Sequence, residues 1–168
     1  MKILFLHLSD AHLTQETNLS EINTNAIVNS LSQMGNFDEC VLVFSGDIAN
    51  SGNENEYKVA GRMFGRIIKG IIDKYFDGNK HIQTLIVPGN HDNLVGNPDR
   101  KREEIIGFYK DKKTESHYYD DLVELDNFFD FANRNYCFSR NKNIEIRSLR
   151  FGSFMIKVNL INSAPFSL

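Results

Sequence analysis

Three short apolar runs, Lys2–Leu8, Val41–Phe44 and Thr84–Val87, constrain this chain more than any other feature. A strand with one face in water alternates apolar and polar residues. A run that is apolar throughout is buried on both faces, as central strands of parallel sheets are. Between the runs the period changes to that of a helix. Ser20–Met34 carries Ile22, Ala26, Ile27, Leu31 and Met34 at helical spacing, with Ser20 as its N-cap and Gly35-Asn36 as its stop. Tyr57–Tyr75 carries Val59, Met63, Phe64, Ile67, Ile68, Ile71 and Ile72 on one broad face, and Asp77-Gly78-Asn79 marks the turn that follows. Strand, helix, strand, helix, strand in this order predicts a parallel sheet with right-handed crossovers.

The pattern changes after the third strand. Residues 93–121 are polar and weakly periodic, which predicts a loop or irregular insert beside the site. Leu122–Asn133 is predicted helical through Leu122, Leu125, Phe128, Phe129 and Ala132, and the short segment Tyr136–Ser139 follows it. Ile144–Leu149 and Phe154–Ile161 alternate at period two. Ile144/Ile146 and Phe154/Ile156/Val158/Leu160 are the expected buried faces, and Phe151-Gly152-Ser153 is the expected turn. The expected class is α/β, a parallel βαβαβ half followed by a helix and antiparallel strands, within one domain over residues 1–168. With 13 Phe and no Trp, phenylalanine and the aliphatics must fill the core.

A net charge of −3 does not suggest a broad nucleic-acid-binding surface, and Arg100-Lys101-Arg102 reads as a solvated charged face. Cys40 and Cys137 belong to no CxxC pair and read as buried free thiols of a reducing compartment. The apolar start runs straight into Asp10 and His12, so it is a strand and not a signal peptide. No apolar run is long enough to span a membrane, and a cytoplasmic protein is the default expectation.

Each of the three runs ends in residues able to bind metal: Asp10-Ala11-His12, then Gly46-Asp47, then Gly89-Asn90-His91-Asp92. Taken singly these have ordinary explanations, as a polar loop pair, a turn and a helix cap respectively. Taken together, at ends that a parallel sheet brings to one edge, they predict a shared site. Two carboxylates, an imidazole and an amide carbonyl suit Mn, Fe or Zn. A carboxylate such as that of Asp47 can bridge two ions. Two ions roughly 3.5–4 Å apart clamp a phosphoryl group and acidify a water between them.

Asp10-x-His12, Gly46-Asp47 and Gly89-Asn90-His91-Asp92 resemble the first three motifs of the calcineurin-like metallophosphoesterases, in order and spacing, over at least residues 3 to 92. Leu8–Leu13 and Ser45–Gly52 are most similar to the cyclic-nucleotide phosphodiesterase-like branch. The resemblance implies a metallophosphoesterase α/β sandwich, here incomplete. It implies that Asp10 and His12 hold a first divalent ion, Asp47 bridges two, and Asn90 holds the second. It gives His91 a catalytic role at the phosphate and makes Asp92 its support. The substrate it implies is a phosphate ester, with a nucleotide as one form.

The family continues to a lone His and a Gly-His-x-His motif. The only His after His91 is His117, in a polar setting that reads as surface; His7 and His81 read as structural or surface residues. The expectation is that the late ligands lie beyond Leu168. This polypeptide alone would then bind metal weakly or singly, show little activity, and need the remainder of its domain or self-association. Two alternatives stay open: a nuclease of the same superfamily, and an inactive scaffold or regulatory module.

Overall fold

A computed structural model describes residues 1–19, 23–78, 80–94, 125–136 and 144–164; for 134–136 only the helical backbone is described. Its elements are β1 (Ile3–Leu8), α1 (Thr24–Ser30), a 3₁₀ turn (Leu31–Met34), β2 (Glu39–Ser45) and α2 (Glu54–Tyr75). There follow β3 (Gln83–Val87), a second 3₁₀ turn (Asn90–Asp92), α3 (Asp126–Tyr136), β4 (Ile144–Phe151) and β5 (Phe154–Ile161).

The three apolar runs form a parallel sheet in the order β1-β2-β3. In its register Leu8 lies beside Phe44, and Phe44 beside Ile86. All three strands therefore finish at the same level, and the residues that follow each emerge along one edge. The expected α/β class holds: βαβαβ, then a helix, then an antiparallel pair.

The helices start and stop for local reasons. α1 begins at Thr24 rather than at Ser20, because the Asn23 side chain accepts the Ala26 N–H at 2.8 Å. Ser20 itself lies outside the described residues. Gly35 at φ +68° ends the following 3₁₀ turn. α2 begins three residues before its predicted start: Asn53 caps Asn55 N–H at 3.0 Å, while Glu56 reaches back to Asn53 N–H at 3.0 Å. This reciprocal capping box satisfies donors that a helix N-terminus otherwise leaves open. The inward face of α2 buries Val59, Met63, Phe64, Ile67 and Ile71, and Phe64 meets Phe44 of β2 at a ring distance of 5.2 Å. Each such buried side chain contributes on the order of 2 kcal/mol.

The antiparallel pair β4–β5 turns at Gly152 (φ +58°), as expected, but β4 presents the other face. Ile144 and Ile146 are 55% and 64% exposed, whereas Glu145, Leu149 and Phe151 are buried. β4 extends past the expected end at Leu149 to Phe151, and the stripe these two residues form sets the register. Glu145 tolerates burial because Arg147, on the same face, pairs with its Oε1 at 2.5 Å. In β5, Leu160 is buried and Ile156 and Val158 half-buried, as predicted, but Phe154 is 62% exposed. The seam with the main body is incompletely filled. A cleft of about 450 Å³ there is lined by Ile72, His81, Leu85, Arg147 and Leu149, among others.

Among the described residues, no helix is long and apolar enough to cross a membrane. Cys40 is buried, and burial pushes its thiol up to about 11, which makes it inert at neutral pH. Asn79, the insert beyond Leu94 with Arg100-Lys101-Arg102 and His117, Leu122, and Cys137 with the rest of Tyr136–Ser139 after Tyr136 lie outside the described residues.

Candidate metal centre

The loop after β1 runs alongside the loop after β2 and extends the parallel pairing past the strands. Asp10 N–H donates to Gly46 O at 3.2 Å, His12 N–H to Asp47 O at 3.0 Å and Leu13 N–H to Ile48 O at 3.0 Å. This zipper brings the carboxylates of Asp10 and Asp47 and the imidazole of His12 together. Their ligand atoms lie within 4.8 Å of one another, and His12 Nε2 is 4.0 Å from Asp10 Oδ1.

The backbone holds these three residues in an unusual conformation. Asp10, His12 and Asp47 have φ of +57°, +44° and +53°; among the described non-glycine residues only Asp77 shares that region. For L-residues it costs on the order of 1 kcal/mol each. Strain concentrated on three candidate ligands marks a site that the surrounding fold over-determines.

The glycines allow the loops to meet in two different ways. Gly46, at φ +97°, makes the sharp exit from β2. Gly89 is extended, so its value is space: a Cβ there would lie 2.2 Å from Asp47 Oδ1 and 2.5 Å from Asp47 N. The Asp47 carboxylate thus rests directly on the third loop, where it accepts the His91 N–H at 2.9 Å.

His91 joins the group. Its ring packs edge-on against His12 with centroids 4.5 Å apart, and its Nδ1 lies 2.9 Å from the carbonyl of Asn50. A carbonyl only accepts, so Nδ1 carries the proton and Nε2 is the nitrogen available for chemistry. Sequence reasoning did not anticipate Asn50, because a backbone acceptor leaves no signature. Asn90 precedes His91 on the same turn and is exposed, and its carbonyl accepts the Asn93 N–H at 3.3 Å.

This geometry is the frame for the family comparison: a model of the calcineurin-like phosphoesterases matches residues 3–157. The chain belongs to the calcineurin-like phosphoesterase family. No curated protein and no solved structure matches it.

In this phosphoesterase the contacts of the last motif residue are with the backbone of the second and third loops and with Tyr57. Asp92 is fully buried, and its carboxylate accepts Ile48 N–H at 3.3 Å, Ala49 N–H at 2.9 Å, Gly89 N–H at 2.9 Å and the Tyr57 hydroxyl at 3.0 Å. Burial pushes the Asp92 carboxyl up, while these donors pull it down. Burial, then the neighbouring Asp92 charge, pushes the Tyr57 phenol far above its ordinary range, so Tyr57 remains a donor.

Asn93, also buried, donates through Nδ2 to Asn90 O at 3.1 Å and to Ala164 O at 3.3 Å, which ties the exit of β5 to the third loop. Among the described residues its buried Oδ1 has no hydrogen-bond partner. Of the other histidines, His7 Nε2 lies 2.6 Å from Ser45 Oγ, and His81 borders the hairpin cleft.

The donor set fits a divalent ion. Two carboxylates, which repel each other without a cation, and an imidazole, all clustered in advance, suit a borderline metal. This family membership and this site establish a candidate centre for metal-dependent phosphoester hydrolysis.

Proposed function

We propose that the chain is the core of a dinuclear metallophosphohydrolase that cleaves phosphodiesters or phosphomonoesters, with a nucleotide as one candidate substrate. One observation carries this reading: Asp10, His12 and Asp47 converge within 4.8 Å, and His91 packs against His12. Asp10, His12 and Asp47 would hold the first ion. Asp47, which lies against the third loop, would hold the second together with Asn90. Manganese is the first candidate, since the mixed carboxylate, imidazole and amide set accepts it readily.

Bound divalent ions supply Lewis acidity to the phosphoryl oxygens and an acidified water as nucleophile. The protein's own groups do the rest. Asn50 O fixes the His91 tautomer, so that Nε2, when protonated, donates to a phosphoryl oxygen or to the departing oxygen. Asp92 takes no part in proton transfer; it holds the second and third loops at their spacing. Among the described residues the second ion would receive Asp47 and Asn90, and would then be bound more weakly than the first.

Hydrolysis of bis-p-nitrophenyl phosphate with manganese, alongside calorimetric titration, tests the reading. Asp47→Asn is expected to abolish both turnover and the tighter manganese site while leaving the fold intact. Unchanged turnover in Asp47→Asn refutes the assignment. Manganese binding without any turnover identifies a non-catalytic module instead. Two equally tight sites contradict the predicted asymmetry.

A further inference from the structure

We propose that Tyr57 is a positioning residue for the metal centre, setting the spacing between the Asp47 loop and the Asn90–His91 loop from beneath. The ring belongs to the core: it stacks on Phe131 at 5.3 Å and meets Phe128 edge-on at 6.2 Å. The hydroxyl is directed at the site loops instead. It donates to Asp92 Oδ1 at 3.0 Å and lies 3.2 Å from the Asp92 carbonyl, so two acceptors of one residue share its single proton.

Asp92 transmits that constraint in two directions. Through Ile48 N and Ala49 N it grips the chain immediately after Asp47, and through Gly89 N it grips the chain immediately before Asn90. The His91 N–H on Asp47 Oδ1 closes the ring at 2.9 Å. The preceding residue on the helix extends the same support. Glu56 accepts Ser51 N–H and Ser51 Oγ–H, both at 3.0 Å, in the loop that also supplies the Asn50 carbonyl to His91. The first turn of α2 is thus the base on which two of the three loops are set. Because α2 is long and packed against the sheet, the Tyr57 hydroxyl is a fixed reference point for groups that must be held within fractions of an ångström.

The alternative is that Tyr57 merely satisfies a buried carboxylate. Tyr57→Phe removes the hydroxyl and keeps the stacked ring. Tyr75→Phe is the matched control, since Tyr75 lies at the other end of α2 and its hydroxyl donates to Val28 O at 2.9 Å, away from the site. The first readout is amide hydrogen exchange of the metal-free protein. Tyr57→Phe is expected to speed exchange at Ile48, Ala49 and Gly89 by about tenfold, the scale of one lost bond to a charged acceptor. Tyr75→Phe is expected to leave these amides unchanged. The second readout is manganese affinity, expected to fall about three- to tenfold in Tyr57→Phe only.

Unchanged protection of those three amides in Tyr57→Phe overturns the proposal, as does exchange that rises equally throughout α2 and the sheet. The exchange result does not depend on the phosphohydrolase reading. If the wild-type chain binds no manganese, that reading fails and the exchange comparison still decides the role of Tyr57.

Discussion

The C-terminal edge of the parallel sheet and the β4–β5 hairpin distribute their side chains in opposite ways. At the sheet edge a charged residue is drawn inward: Asp92 is fully buried among four donors, beneath three candidate ligands held at positive φ. At the hairpin apolar residues are turned outward, and Ile144, Ile146, Phe154, Met155 and Ile161 are each more than half exposed. What separates the two is the number of independent constraints on the backbone. A zipper of main-chain bonds ties the first site loop to the second, and a close glycine contact and the Asp92 carboxylate tie the second to the third. The hairpin answers to its own ladder and to one inward stripe, with a cleft left at the seam. A region under many constraints can hold strain and buried charge, whereas a region under few can only follow its apolar stripe.

The largest effect that would test this contrast is at Gly89. A Cβ there would overlap both Asp47 Oδ1 and Asp47 N. Because the Asp92 clamp prevents the loops from separating, Gly89→Ala is expected to destabilise the fold by about 3 kcal/mol, the upper range for overpacking. It should also abolish manganese binding. Urea denaturation measures the first effect and calorimetry the second. A loss below about 1 kcal/mol would show that the two loops move apart easily and that the site is no more constrained than the hairpin.

A paired substitution on β4 comes next. Leu149 is buried and Ile146 is 64% exposed on the opposite face. Leu149→Ala is expected to cost roughly 2–3 kcal/mol and Ile146→Ala less than about 0.5 kcal/mol. The partly open cleft beside Leu149 places the first figure at the lower end of the usual range. Equal costs would mean that the hairpin has no preferred face, and reversed costs would restore the alternation first read from Ile144 and Ile146.

These two regions also show why one was legible in the sequence and the other was not. The sheet edge announces itself because a strand buried on both faces must be apolar throughout, so the first polar residue after each run marks where it emerges. Three such exits, carrying Asp10/His12, Asp47 and Asn90–Asp92, could be aligned with no knowledge of side-chain positions. The capping box Asn53-x-x-Glu56 was equally open to reading, and missing it displaced the start of α2 by three residues. The face of β4 was a competition between Ile144/Ile146 and Leu149/Phe151. The larger pair, next to the turn, prevailed because the two charges on its face, Glu145 and Arg147, pair with each other. The tyrosine hydroxyl below Asp92 and the carbonyl beside His91 left no trace, since a Tyr in an apolar helix face reads as core and a backbone acceptor reads as nothing.

The smallest effect concerns strain alone, at Asp10. Its φ of +57° is one that glycine adopts without cost, and its side chain is 65% exposed, so little packing is lost on truncation. Asp10→Gly and Asp10→Ala both remove the carboxylate facing Asp47, and with it the repulsion between the two in metal-free protein. Only glycine also relieves the backbone. The left-handed conformation costs alanine about 1–2 kcal/mol, and the greater freedom of glycine in the unfolded chain returns about 0.5–1 kcal/mol of that. The glycine variant is therefore expected to be more stable than the alanine variant by about 0.5–1 kcal/mol, measured by thermal or urea unfolding without metal, while neither binds manganese at the tighter site. The same pair of substitutions at Ser148, on the outer face of β4, should reverse the order, since alanine is the better residue in an ordinary strand. If alanine proves the more stable at Asp10 by about 0.5–1 kcal/mol, as in an ordinary strand, the first loop carries no strain in solution. The three positive φ values would then describe an adaptable loop rather than a ligand set held ready for its ion.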